Sequence, residues 1–103
     1  MKREAFKMYL KAGFEKEYQK RHNEIWPELV QILKDNGIED YSIFYDEETN
    51  ILYAVQKNNG LGSQNLVESE IVKRWWNYMS DIMEVNSDKS PVSIPLKEVF
   101  YME

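Results

Sequence analysis

Two periodicities alternate along this chain, and their order restricts the folds open to it. From Arg3 to Leu10, Ala5, Lys7 and Tyr9 fall on one side and Phe6, Met8 and Leu10 on the other. That two-residue period is a strand. Gly13 ends the following turn, and Phe14 to His22 reads as helix. Pro27 has no N–H and disfavours helical geometry at Trp26, so this helix bends or stops between His22 and Trp26. Leu29, Ile32 and Leu33 resume a helical stripe to Asn36, and Gly37 stands where a C-terminal cap glycine belongs. Asp40 to Tyr45 and Ile51 to Gln56 are two further strands, joined by the polar turn Asp46 to Asn50 as a hairpin. Lys57 to Asn65 is a Gly/Asn/Ser loop.

From Leu66 to Met83 the helical period returns. Val67, Ile71, Trp75, Tyr78 and Ile82 form the central stripe, and Val72, Trp76, Met79 and Met83 a second beside it. An irregular arm with two prolines runs from Asn86 to Pro95, and Glu98 to Met102 is expected as the last strand. The order β-α-β-β-α-β is that of the ferredoxin-like α+β fold, a four-stranded antiparallel sheet with two helices on one face. Residues 1–103 are expected as one domain. Large apolar side chains fall on both faces of the first two strands. The face without helices then needs a cover, and a second copy packed sheet to sheet is the simplest one.

Composition removes several classes of function. A net charge of −5 with scattered basic residues argues against nucleic acid. With no cysteine there is no disulfide framework, thiolate nucleophile or cysteine-ligated zinc, as expected of a cytoplasmic protein. The first residues do not form a signal-peptide apolar region, and no run approaches the ~18 apolar residues of a membrane span. One histidine and a solvated Asp46-Glu47-Glu48 turn do not make a metal site. Gly60-Leu61-Gly62 lacks the third glycine of a phosphate-binding loop, Asn65 standing in its place, and reads as a flexible connection. Neither metal nor cofactor is expected.

What remains is aromatic. Seven Tyr, four Phe and three Trp make 14% of the chain, more than one small core usually holds. Aromatic faces stack on the C–H faces of sugars and similar neutral ligands, while Tyr and Trp add a hydrogen-bonding edge. A tyrosine-rich core or subunit interface explains the same composition. The only histidine, His22, lies four residues after Tyr18, so both project from one helix face. Taken alone, the pair is an ordinary satisfied histidine beside a helix break. An imidazole titrating near neutrality can also give and take protons without a cofactor.

Four stretches together resemble the L-rhamnose mutarotase family. They are Arg21-His22-Asn23 with Ile25-Trp26-Pro27-Glu28-Leu29, then Arg74-Trp75-Trp76 with Tyr78-Met79, then Ser90-Pro91-Val92-Ser93, and finally Leu96 with Glu98-Val99-Phe100-Tyr101. They occur in the same order, and the similarity runs from about Arg3 to Met102. The resemblance implies a dimeric ferredoxin-like domain with an α/β-barrel-like assembly. It also implies interconversion of the α and β anomers of L-rhamnose in the cytoplasm. Carried over position by position, His22 is the catalytic acid, and Tyr18, Tyr41, Trp75 and Trp76 contact the sugar. The chain departs from the family pattern over 57–70, where no assigned site residue lies. Two other classes are compatible with the residues alone: another small isomerase or monooxygenase on this scaffold, and a non-catalytic sugar-binding module.

Overall fold

The computed structural model describes residues 2–103. Strand β1 spans Lys2–Tyr9, and the helix expected to bend or stop before Trp26 stops there, leaving two separate ones, α1 (Glu15–Asn23) and α2 (Pro27–Asp35). Acidic Glu15 and Glu17 open α1 and basic Lys20, Arg21 and His22 close it, the arrangement that complements a helix dipole. Trp26 is extended and Pro27 takes the first helical position of α2, where its missing N–H costs nothing. The chain thus stops and restarts at Pro27 rather than kinking. Strands β2 (Glu39–Asp46) and β3 (Ile51–Asn58) form the expected hairpin. Gly37, at φ +75°, lets the chain turn from α2 into β2.

A single 3-10 turn, Ser63–Asn65, precedes α3 (Glu70–Met79), which is shorter than the expected span of Leu66 to Met83. Ser69 caps α3, its hydroxyl accepting from the Val72 N–H, so the helix starts there and leaves Leu66 and Val67 outside. The face it buries is Val72, Trp75, Trp76 and Met79, while Val67 and Tyr78 of the expected central stripe are exposed. Ile82 and Met83 are buried beyond the helix end, where Met83 bridges to Leu10.

The last strand, β4, is Ile94–Leu96 and not Glu98–Met102. Its register sets Ile94 opposite Lys7 and Leu96 opposite Ala5, so continuing it would place Glu98 opposite Arg3, near the start of β1. Only Arg3 and Lys2 of β1 would remain opposite the expected strand, too few to pair with its length. Pro95 is tolerated because β4 is an edge.

The result is an α+β fold whose four strands run in the order β2-β3-β1-β4, each neighbouring pair antiparallel. Two rows cross the helix-covered side, Phe6–Ala54–Ile43 and Met8–Leu52–Tyr45. They pack with Leu29, Val72, Trp76 and Met79 into the core. The opposite side carries the row Phe44–Tyr53–Lys7–Ile94 and has no helix over it. One irregularity interrupts the β2–β3 ladder. Asp40 and Tyr41 together stand opposite Gln56, a bulge in which Asp40 takes φ +49°. Bulges re-aim side chains beside functional sites.

Candidate active site

Between the helix-covered sheet face and the three helices lies a cavity of about 550 Å³. That is within the ~300–1,000 Å³ usual for small-molecule sites. The structure brings all five residues singled out from the sequence to it: Tyr18 and His22 from α1, Tyr41 from β2, Trp75 and Trp76 from α3.

His22 lines it from α1. The imidazole stacks on the Tyr18 ring, with centroids 4.3 Å apart, and meets the Trp75 edge at 5.3 Å and 90°. Trp26 continues the cluster, edge-on to Trp75 at 5.2 Å and stacked on Tyr78 at 5.7 Å. The His22 Nδ1 lies 3.0 Å from the Tyr18 carbonyl oxygen. A carbonyl only accepts, so Nδ1 carries the hydrogen, and the neutral ring holds its lone pair on Nε2. Burial among these rings pulls the imidazole below its ordinary 6.5, and the bond to the Tyr18 carbonyl opposes that shift less strongly. At neutral pH the ring is therefore uncharged.

Two phenols face the same space. Burial raises Tyr18, and the neighbouring Tyr41 raises it further. Burial also raises Tyr41, against a smaller lowering by the Ser63 hydroxyl. Both stay protonated at any physiological pH. No buried side-chain nitrogen or oxygen among the described residues lacks a partner.

Sequence reasoning missed other polar groups that line the cavity. Glu15, Gln19 and Asn23 of α1 reach it, four residues apart in a row beside Tyr18 and His22. That spacing was visible in the sequence. Ser63 and Gln64, from the loop where the chain departs from the family pattern, also line it, and no local pattern announces them. Among the described residues no group of three His, Cys, Asp or Glu could hold a metal ion.

The helix next to His22 is clamped by its neighbour. Arg21 Nε donates to Glu17 at 2.8 Å, its NH1 to the Tyr78 carbonyl at 2.7 Å, and both terminal nitrogens reach Asp81, at 2.9 and 3.2 Å. The guanidinium also lies 4.4 Å over the Tyr78 ring. One arginine thereby fixes α1 against the end of α3.

Fold and cavity together define a small α+β protein that can hold a neutral, oxygen-rich ring between aromatic walls beside one neutral imidazole. Comparison with known proteins makes the class specific. The L-rhamnose mutarotase family model matches residues 3–102, and the chain belongs to that family. It is 66% identical over 104 aligned residues to the L-rhamnose mutarotase of Bacteroides thetaiotaomicron, with both chains fully covered. It is 62% identical to that of Phocaeicola vulgatus, again over the full length of both. The crystal structure of the L-rhamnose mutarotase from Formosa agariphila superposes with a TM-score of 0.94 at 59% identity, each chain covered completely.

Proposed function

We propose that this protein is an isomerase that interconverts the α and β anomers of L-rhamnose, an L-rhamnose 1-epimerase. His22 moves the proton, and Tyr18, Tyr41, Trp75 and Trp76 hold the sugar. The observation that carries the reading is the fixed tautomer of His22. Its Nδ1–H is tied to the Tyr18 carbonyl, so the ring presents the Nε2 lone pair from the cavity wall.

Anomer exchange requires the anomeric hydroxyl to lose its proton while the ring oxygen gains one. The ring opens to the aldehyde, the C1–C2 bond rotates, and closure on the other face reverses both transfers. A neutral imidazole acts first as the acceptor for the anomeric proton and then, protonated, as the acid that returns it. Such a group contributes typically ~10²–10⁴-fold. The indoles of Trp75 and Trp76 suit the sugar's C–H face and its 6-methyl group, and the polar groups from α1 and the 57–65 loop suit its hydroxyls. That convergence of hydrogen-bonding groups around His22 favours a sugar over an apolar ring substrate.

The protein works in this reading as a ferredoxin-like homodimer in the cytoplasm, with no cofactor and no metal. The strand order β2-β3-β1-β4 supports that fold, and the helix-free sheet face supports the dimer. No helix among the described residues is long and apolar enough to cross a membrane.

NMR saturation transfer between the α and β anomers of L-rhamnose tests the assignment. Wild-type protein is expected to accelerate exchange, and His22→Ala to lose at least ~10²-fold of that rate. Binding of L-rhamnose without acceleration by a folded wild type would make the chain a sugar-binding module instead.

A further inference from the structure

A buried polar network behind the cavity wall decides which way one of its tyrosines can donate. On the core side of β3, Leu52 and Ala54 are followed by Gln56 and Asn58, two amides each with 0% exposure. Amides so buried must be fully used. The Gly60 N–H donates to Asn58 Oδ1 at 2.8 Å, and the Ser63 N–H donates to Gln56 Oε1 at 2.9 Å. Only an amide oxygen can accept these, so both side-chain orientations are set by the backbone. Gln56 Nε2 is then a donor, and it bonds Ser63 Oγ at 2.9 Å. Gln64 Nε2 donates to the same oxygen at 3.4 Å. A hydroxyl has two lone pairs and one hydrogen. With both lone pairs occupied, the Ser63 hydrogen goes to Tyr41 Oη, 3.4 Å away. Tyr41 stands opposite Gln56 at the β2 bulge. It accepts from the protein and keeps its own hydrogen for the cavity.

We propose that Tyr41 donates the hydrogen that the sugar's ring oxygen takes up on opening, and that Gln56 and Ser63 are positioning residues that fix this direction. The inference rests on the anomer-exchange reading and names its second acid/base group. The cavity then holds one oriented acceptor, His22 Nε2, and one oriented donor, Tyr41 Oη, as ring opening demands. On opening, the anomeric O–H bond breaks and its proton moves to His22 Nε2. The electron pair left on that oxygen becomes the aldehyde carbonyl bond, and the C1–O5 bond breaks. O5 takes the Tyr41 hydrogen, leaving a phenolate that the Ser63 hydroxyl holds. Closure on the other face returns both protons and restores the protein.

The test measures kcat and KM for anomer exchange of L-rhamnose with wild type, Tyr41→Phe, Ser63→Ala and the double variant. Loss of the Tyr41 hydroxyl is expected to lower kcat by roughly 10²-fold with KM changed much less. Ser63→Ala, which removes a hydrogen bond to a developing charge, is expected to lower kcat roughly tenfold. In the Tyr41→Phe background Ser63→Ala should add nothing, because it acts only through that phenol. Tyr41→Phe raising KM at unchanged kcat would overturn the proposal, as would Ser63→Ala having the same effect in both backgrounds. A wild type that does not accelerate exchange would overturn the anomer-exchange reading as well, so the two failures are told apart.

Discussion

His22 is held neutral by what surrounds it, and this makes its behaviour in acid predictable. Its folded value lies below 6.5, so the uncharged ring that the proposed mechanism uses persists to lower pH than a free imidazole. kcat/KM is expected to stay level through neutrality and to fall with an apparent pKa below 6.5 in a pH–rate profile. Stability follows the same sign. Between 6.5 and the folded value the unfolded chain binds a proton that the folded chain does not, so acidification favours unfolding there. The His22→Ala variant should lose that part of the slope in chemical denaturation across pH. Of the site residues, Tyr18 and His22 were the most legible from sequence, because i, i+4 spacing in a helix is a local fact. Tyr41 was not. Its place depends on a bulge and on Gln56, Ser63 and a loop in between, and contacts of that kind exist only once the sheet has formed.

At the scale of elements, helices and strands that obey their own periodicity were readable, and those set by a neighbour were not. The β2–β3 hairpin and the break at Pro27 follow from local chemistry. The position of β4 instead follows from where β1 begins, and the buried face of α3 from the packing of Val72, Trp76 and Met79 on the sheet. The α1–α3 clamp is also non-local. Its single arginine joins a carboxylate on its own helix to a carbonyl and a carboxylate some sixty positions away. Arg21→Ala is expected to destabilise the fold by about 2 kcal/mol, through the lost carbonyl bond and packing. Asp81→Ala should cost less, ~0–1 kcal/mol, because that carboxylate is well exposed and solvent-screened. Urea midpoints of the two variants compare them directly. Equal losses would mean that the ion pair, and not the carbonyl bond, holds the helices together.

For the molecule as a whole, the uncovered sheet face is the surface on which the proposed assembly rests. Phe44, Tyr53 and Ile94 lie in one row across it, with Leu96, Ala5 and Val55 in the next. Beyond β4 the chain end adds Val99, 87% exposed, and Phe100, 78% exposed, with Arg3 stacked 3.8 Å over the Tyr101 ring. Apolar surface of this kind calls for a partner. The proposed homodimer predicts sedimentation at twice the chain mass for wild type. A central charge such as Tyr53→Asp should weaken association by roughly 10²-fold or more while the monomer stays folded. Wild type sedimenting as a monomer at high concentration would remove the dimer from the proposal.

The aromatic cluster that frames the imidazole has an optical consequence. Trp26, Trp75 and Trp76 are all the indoles the chain has; two line the cavity, and the third touches Trp75 edge-on. The intrinsic emission of this protein thus originates almost entirely at or beside the candidate site. Titration with L-rhamnose should change its intensity or wavelength without any attached dye, and protonation of His22 beside Trp75 should dim it in acid. The protein carries its own lamp at the place where occupancy has to be read.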